Sequence, residues 1–199
     1  MRPIKCEKKS DKQLVQLTLK NTDYFGYLVR RYEEKLNRYI RRLTHLDAET
    51  IEDLLQEVFL KIYKNLNDYD SDFSFSSWAY RIAHNEAISH FRKNEKRPKT
   101  VQINNEEGVN FLDILPDDIN LRDDYVKKEL AQKVRALIDE LPEKYRAVLI
   151  LKFMEEKSYE EISDILKIPA GTVATQLNRA KAHFKQLAID NHLNKPDNQ

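Results

Sequence analysis

Residues 53–97 read DLLQEVFLKIYKNLNDYDSDFSFSSWAYRIAHNEAISHFRKNEKR, and this stretch decides the fold. Its first part places Leu55, Val58, Phe59, Ile62 and Leu66 three and four residues apart. That is the period of one buried helix face. Asn67 to Ser77 is a run of Asn, Asp, Ser and aromatic residues with no helical period, and reads as a short loop. A second helix follows, with Trp78, Ile82 and Phe91 among its apolar positions, and it finishes in the cations Arg92, Lys93, Lys96 and Arg97. An aromatic-bearing loop beside a basic helix suits a nucleic-acid strand whose bases have left the stack. A packed helical hairpin with a solvated basic end fits the same letters, because cations also complement a helix C-terminus.

Working outward, the 199 residues suffice for one domain or two small ones. Only 3 are Gly and 34% are Asp, Glu, Lys or Arg, which favours long solvated helices over a turn-rich β fold. The net charge of +1 conceals an uneven distribution. Arg81 to Lys99 carries six basic and two acidic residues, Glu106 to Asp124 seven acidic and one basic, and Lys167 to Lys195 five basic and one acidic. Two cationic blocks separated by an acidic one point to a polyanionic partner touched at two places. Cys6 is the sole cysteine. It excludes an internal disulfide and thiol-ligated structural zinc within one chain. The N-terminus MRPIKCEKKSDK lacks the apolar core of a signal peptide. The longest apolar run, Ala147 to Leu151, is far short of the roughly 18 residues of a membrane span. The expectation is a cytosolic, reduced, soluble protein with no cofactor and no metal.

Met1 to Asp11 reads as loose. A helix is expected from Asp23 through Tyr24, Leu28, Tyr32, Leu36, Ile40 and Leu43. Thr50 followed by Asp53 resembles a capping pair that starts the next helix. Pro98 closes the second helix of the deciding stretch, and Thr100 to Asp124 reads as a linker. Helix resumes near Tyr125, with Leu130, Val134, Leu137, Ile138 and Leu141 on one stripe. Pro142 ends it and opens another helix over Glu143 to Lys157. Ser158 with Glu161 forms a capping box, and after a tight break at Lys167 and Ile168 a longer helix starts at Pro169. Its buried stripe is Val173, Leu177, Ala180, Phe184 and Leu187. Two helices joined by a short turn describe a helix-turn-helix, whose second helix enters the major groove by its N-terminal end. Off that stripe lie Thr175, Gln176, Asn178, Arg179 and Lys181, with amides and hydroxyls able to bond base edges and cations able to bind guanine or phosphate.

Both stretches together resemble the bacterial RNA polymerase sigma factors of the small extracytoplasmic-function type. DLLQEVFLKIYKNL and FSSWAYRIAHNEAISHFRK look like region 2 of that family; LPEKYRAVLILKF, SYEEISDIL and IPAGTVATQLNRAKAHF look like region 4. The resemblance implies an all-α protein of two small helical domains on a flexible acidic linker: residues 1–98, linker 99–124, and residues 125–199. It implies Asp53, Gln56, Glu57 and Lys61 as the docking face for core RNA polymerase, on the clamp helices of its largest subunit, with region 4 reaching the flap. It implies Phe73, Phe75, Arg81, His84, Asn85, Arg92 and Lys93 at the minus-ten element, where Asn85 lines the pocket of a flipped base. Trp78 reads as core. It implies Thr172, Thr175, Gln176, Asn178, Arg179 and Lys181 at the minus-thirty-five element. An anti-sigma factor is a further implied partner, and no covalent chemistry is expected. The sequence departs from the family at Lys167, where Gly is frequent in the turn, and at Ala174 and Gln176, which are often basic. The alternative is a free-standing helix-turn-helix regulator that binds duplex DNA without polymerase and leaves the outer face of the Asp53 helix unused.

Overall fold

A computed structural model describes residues 8–44, 46–94 and 133–191, the side chain of Asn94 excepted. Helices α1 (Asp11–Lys20), α2 (Phe25–Thr44), α3 (Ala48–Lys64) and α4 (Phe75–Asn94) come first. Residues 133–139 are helical (α5); α6 (Glu143–Leu149), a π-helical turn (Ile150–Met154), α7 (Tyr159–Leu166) and α8 (Ala170–Asp190) follow. Among the described residues there is no strand. The chain divides into two compact units, the first made of Met1–Gln102 with Asp164–Leu166 and the second of Ile103–Ser163 with Lys167–Gln199.

In the first unit α2, α3 and α4 pack against one another, and α1 lies on α2. The periodic stripes supply the core: Leu28, Leu36, Tyr39 and Ile40 from α2, and Ile51, Leu54, Val58 and Ile62 from α3. From α4 come the small Ala79, Ala83 and Ala87, beside the large buried ring of Tyr80. Burying each large aliphatic side chain stabilises the unit by about 1.5–3 kcal/mol. Truncating fully buried Leu36 to Ala would cost about 2–5 kcal/mol, since little can collapse into the gap.

The segment expected to be loose holds a helix start. Ser10 accepts the Gln13 amide at 3.3 Å, and the Gln13 side chain accepts the Ser10 amide at 3.1 Å. This capping box is legible in SDKQ. One expectation is corrected at α3. Its cap is Asp47, whose Oδ1 accepts the Thr50 amide at 2.8 Å and whose Oδ2 accepts the Thr50 hydroxyl at 2.9 Å. Thr50 donates there; a carboxylate satisfies both donors and also favours the positive helix end.

In the second unit α6 packs on α8, and Val134, Ile138, Leu149, Ile162, Val173 and Phe184 are buried. The helix expected over Glu143–Lys157 is α-helical only to Leu149, then widens to the π turn, and Glu156 takes φ 52°. Leu187 is half-buried and Ala188 is buried in its place on the α8 stripe. Pro98, Tyr125, Leu130 and the acidic linker lie outside the described residues.

Candidate nucleic-acid interface

α3 turns Ile51, Leu54, Leu55, Val58 and Ile62 inward and leaves Asp53, Gln56 and Glu57 exposed, one turn apart on the opposite face. Lys61 is also exposed, but its Nζ lies 2.6 Å from Glu86 Oε1 on α4, so it braces the two helices. Within the polar face sits Leu60, 51% exposed, which the sequence reading passed over. Its signal was a leucine off the buried stripe, surrounded at helical spacing by Gln56, Glu57 and Lys64.

Beyond α3 a single 3-10 turn (Leu66–Asp68) leads into the loop. The Asp72 amide donates to Asp70 Oδ1 at 3.0 Å, and the Phe73 amide to the Asp70 carbonyl at 3.2 Å. The Tyr69 hydroxyl donates to the Phe73 carbonyl at 2.6 Å, which ties the loop's far side to its base. α4 then starts three residues earlier than expected, at Phe75, because Ser74 accepts the Trp78 amide through its carbonyl at 3.1 Å. The consequence is a correction. Phe73 is 58% exposed at the loop tip, whereas Phe75 is 3% exposed and cannot reach a base. Phe75 instead floors the loop, with its ring 5.3 Å from Tyr32, 5.4 Å from Tyr69 and 5.7 Å from Trp78. Trp78 is buried, as the sequence suggested.

Along α4, Arg81, Asn85 and Arg92 recur four and seven residues apart and share one helix row; Asn85 and Arg92 are exposed and Arg81 is half-buried. Lys93 is exposed beside them. His84 departs from its expected role. Its Nδ1 is 2.9 Å from the Tyr39 hydroxyl. Burial, and then the Arg92 charge, push its pKa down to about 4. A neutral imidazole cannot serve as a phosphate cation at pH 7; His84 positions α4 against α2.

In the second unit Ser158 and Glu161 form the expected capping box, at 3.1 and 2.9 Å. Lys167 ends α7 in the left-handed conformation, φ 53° and ψ 45°. The turn is held by the Ile168 amide donating to the Ser163 carbonyl at 3.2 Å and the Ser163 hydroxyl donating to the Ile168 carbonyl at 2.6 Å. α8 then exposes Thr175, Asn178, Arg179 and Lys181, with Thr172 and Gln176 half-buried. The Thr175 hydroxyl donates back to the Gly171 carbonyl at 2.9 Å, leaving it to act as an acceptor. Lys181 rests its Nζ 5.0 Å from the Phe153 ring, on the π turn.

Two family matches cover these same elements: Sigma-70 region 2 over residues 28–97 and Sigma-70, region 4 over residues 131–184. The ECF RNA polymerase sigma factor SigW of Bacillus subtilis is 34% identical over 90% of this chain and 96% of its own length. The chain belongs to the extracytoplasmic-function sigma factors. The ECF RNA polymerase sigma-E factor of Escherichia coli K12 is 32% identical over 93% of this sigma factor and 95% of its own chain. The fold is shared with the sigma factor RpoE of Bartonella quintana, solved in complex with the anti-sigma factor NepR, at TM-score 0.61 and 19% identity over 82% and 95% of the two chains. Among the described residues, no helix of this sigma factor is long and apolar enough to cross a membrane.

Proposed function

We propose that this sigma factor docks on core RNA polymerase through the outer face of α3 and then opens promoter DNA by capturing a base outside the helix stack. Asp53, Gln56 and Glu57 supply polar contacts and Leu60 the apolar anchor, since docking surfaces concentrate their affinity in a few buried apolar groups ringed by polar ones. Phe73 and Asn85 form the minus-ten reader, a stacking face and an amide suited to a Watson–Crick edge. Flipping a base costs a few kcal/mol, and a preformed pocket offsets that cost. Thr175, Gln176, Asn178 and Arg179 read the minus-thirty-five element in the major groove. Residues 1–98 and 125–199 act as the two DNA-engaging domains, with 99–124 as the tether. The protein works in the cytoplasm, performs no covalent chemistry and is subject to capture by an anti-sigma factor.

The observation that carries this reading is the division of labour in the first unit. One helix bears an exposed polar face around Leu60, while the neighbouring loop exposes Phe73 above an aromatic floor and the following helix exposes Asn85 on the row of Arg81 and Arg92. Transcription with purified core polymerase and start-site mapping tests it; no transcript above core alone refutes it. Gln56→Ala with Glu57→Ala abolishes polymerase pull-down here and would change nothing for a regulator that works without polymerase. Asn85→Ala slows promoter opening, read as permanganate reactivity of promoter thymines, and spares core binding.

A further inference from the structure

The deciding stretch lies on α3 and α4, yet the most cationic helix described is α2. It holds Arg30, Arg31, Lys35, Arg38, Arg41 and Arg42 against Glu33 and Glu34. We propose that the row Lys35, Arg38 and Arg42 on α2 is a second, sequence-independent nucleic-acid contact, which holds phosphates of the same single strand whose base the neighbouring loop captures. This rests on the minus-ten reading above and extends it.

Placement is the first argument. Tyr32 and Tyr39 are buried on α2 and tie it to the reader. The Tyr32 ring meets Phe75 edge-on at 5.3 Å, and Tyr39 lies 5.2 Å from the Tyr80 ring with its hydroxyl on His84. The cationic row flanks these two tyrosines directly. Lys35 is exposed with its Nζ 5.5 Å from the Tyr32 ring, so one aromatic ring separates that ammonium from Phe75 at the loop exit. Arg38 follows three residues later and Arg42 four after that, the spacing of one helix row.

Charge is the second argument. Cations in the last turn of a helix are explained by its dipole, but that effect dies within a turn. Arg42 qualifies; Lys35 and Arg38 are well inside a helix that runs to Thr44. Arg38 Nη1 is 2.9 Å from Glu34 Oε1, and Glu34 is 84% exposed, so a phosphate can replace that carboxylate at little cost. From Lys35 to Arg42 the helix rises about 10 Å. Ammonium and guanidinium groups on phosphate position a strand and carry no base information.

The test uses the assembled holoenzyme and a fluorescent oligothymidylate, titrated at several potassium chloride concentrations, with core polymerase alone as the background. Each phosphate contact on a single strand contributes about 0.7 to the slope of log affinity against log salt. Lys35→Gln with Arg38→Gln therefore lowers that slope by about 1.4 and weakens oligothymidylate and the mapped promoter's non-template strand by the same factor. Lys35→Arg with Arg38→Lys restores the slope, which separates charge from folding. An unchanged slope in the Gln pair overturns the proposal. So does loss of core binding, which would assign the row to polymerase. If the wild-type holoenzyme fails to prefer its promoter strand while the slope still drops, the base-capture reading falls and the phosphate row stands.

Discussion

His84 offers the sharpest test of how α4 is held. Its folded pKa of about 4 lies below the usual 6.5, because burial and then Arg92 disfavour the imidazolium. Below pH 6.5 the unfolded chain therefore binds a proton that the folded chain refuses. Stability is unaffected by this group above about pH 7, falls as the pH drops from 6.5, and the loss is complete below about pH 4. With those two values, the stability lost between pH 8 and pH 5 is about 2 kcal/mol, an upper figure because the ring is part-exposed and solvent screens it. His84→Gln removes the titration. Trp78, the chain's one tryptophan, is buried in the same unit and reports its unfolding selectively. Urea melts followed by tryptophan fluorescence at pH 8, 6.5 and 5 should show the wild type losing about 2 kcal/mol more than the variant. The carboxylates titrate alike in both proteins and cancel in the difference. A gap between the two proteins that stays constant from pH 8 to pH 5 would refute the reasoning.

Asp11 ties α1 to α2, accepting Arg31 Nη1 at 2.6 Å and the Tyr32 hydroxyl at 2.5 Å; Asp11→Asn should cost about 1–2 kcal/mol, discounted for part exposure, in the same fluorescence melts. An undiminished midpoint would show that the pair adds nothing. Lys167→Gly removes a left-handed cost of about 1–2 kcal/mol and adds about 0.4–1 kcal/mol of chain entropy on folding. The helix-turn-helix unit should therefore gain about 0.5–1 kcal/mol, read by circular dichroism melts of the full chain, with a loss of stability contradicting the strain.

Much of this protein is legible locally. The capping boxes at Ser10 and Ser158, the apolar stripes of α2, α3 and α8, and the turn at Lys167 are all set by residues within one or two helical turns, so letter order carries them. The exposed positions Asp53, Gln56, Glu57, Asn85 and Arg179 follow from the same periodicity. Phe73 and Phe75 show where this stops. The two share a loop in sequence, and only the packing of Tyr32, Tyr69 and Trp78 around one of them turns it inward while the other stays in solvent. His84 shows it again, since its charge state is decided by burial against Tyr39, 45 residues away. The cations of α2 are visible as letters, but their place beside the loop comes from Tyr32 meeting Phe75 across the chain. The sequence by itself determined the helices, their faces and the family. The tertiary structure decided which aromatic stays in solvent, which histidine stays neutral and which basic row lies beside the loop, because those depend on contacts between residues far apart in the chain, which no local period encodes.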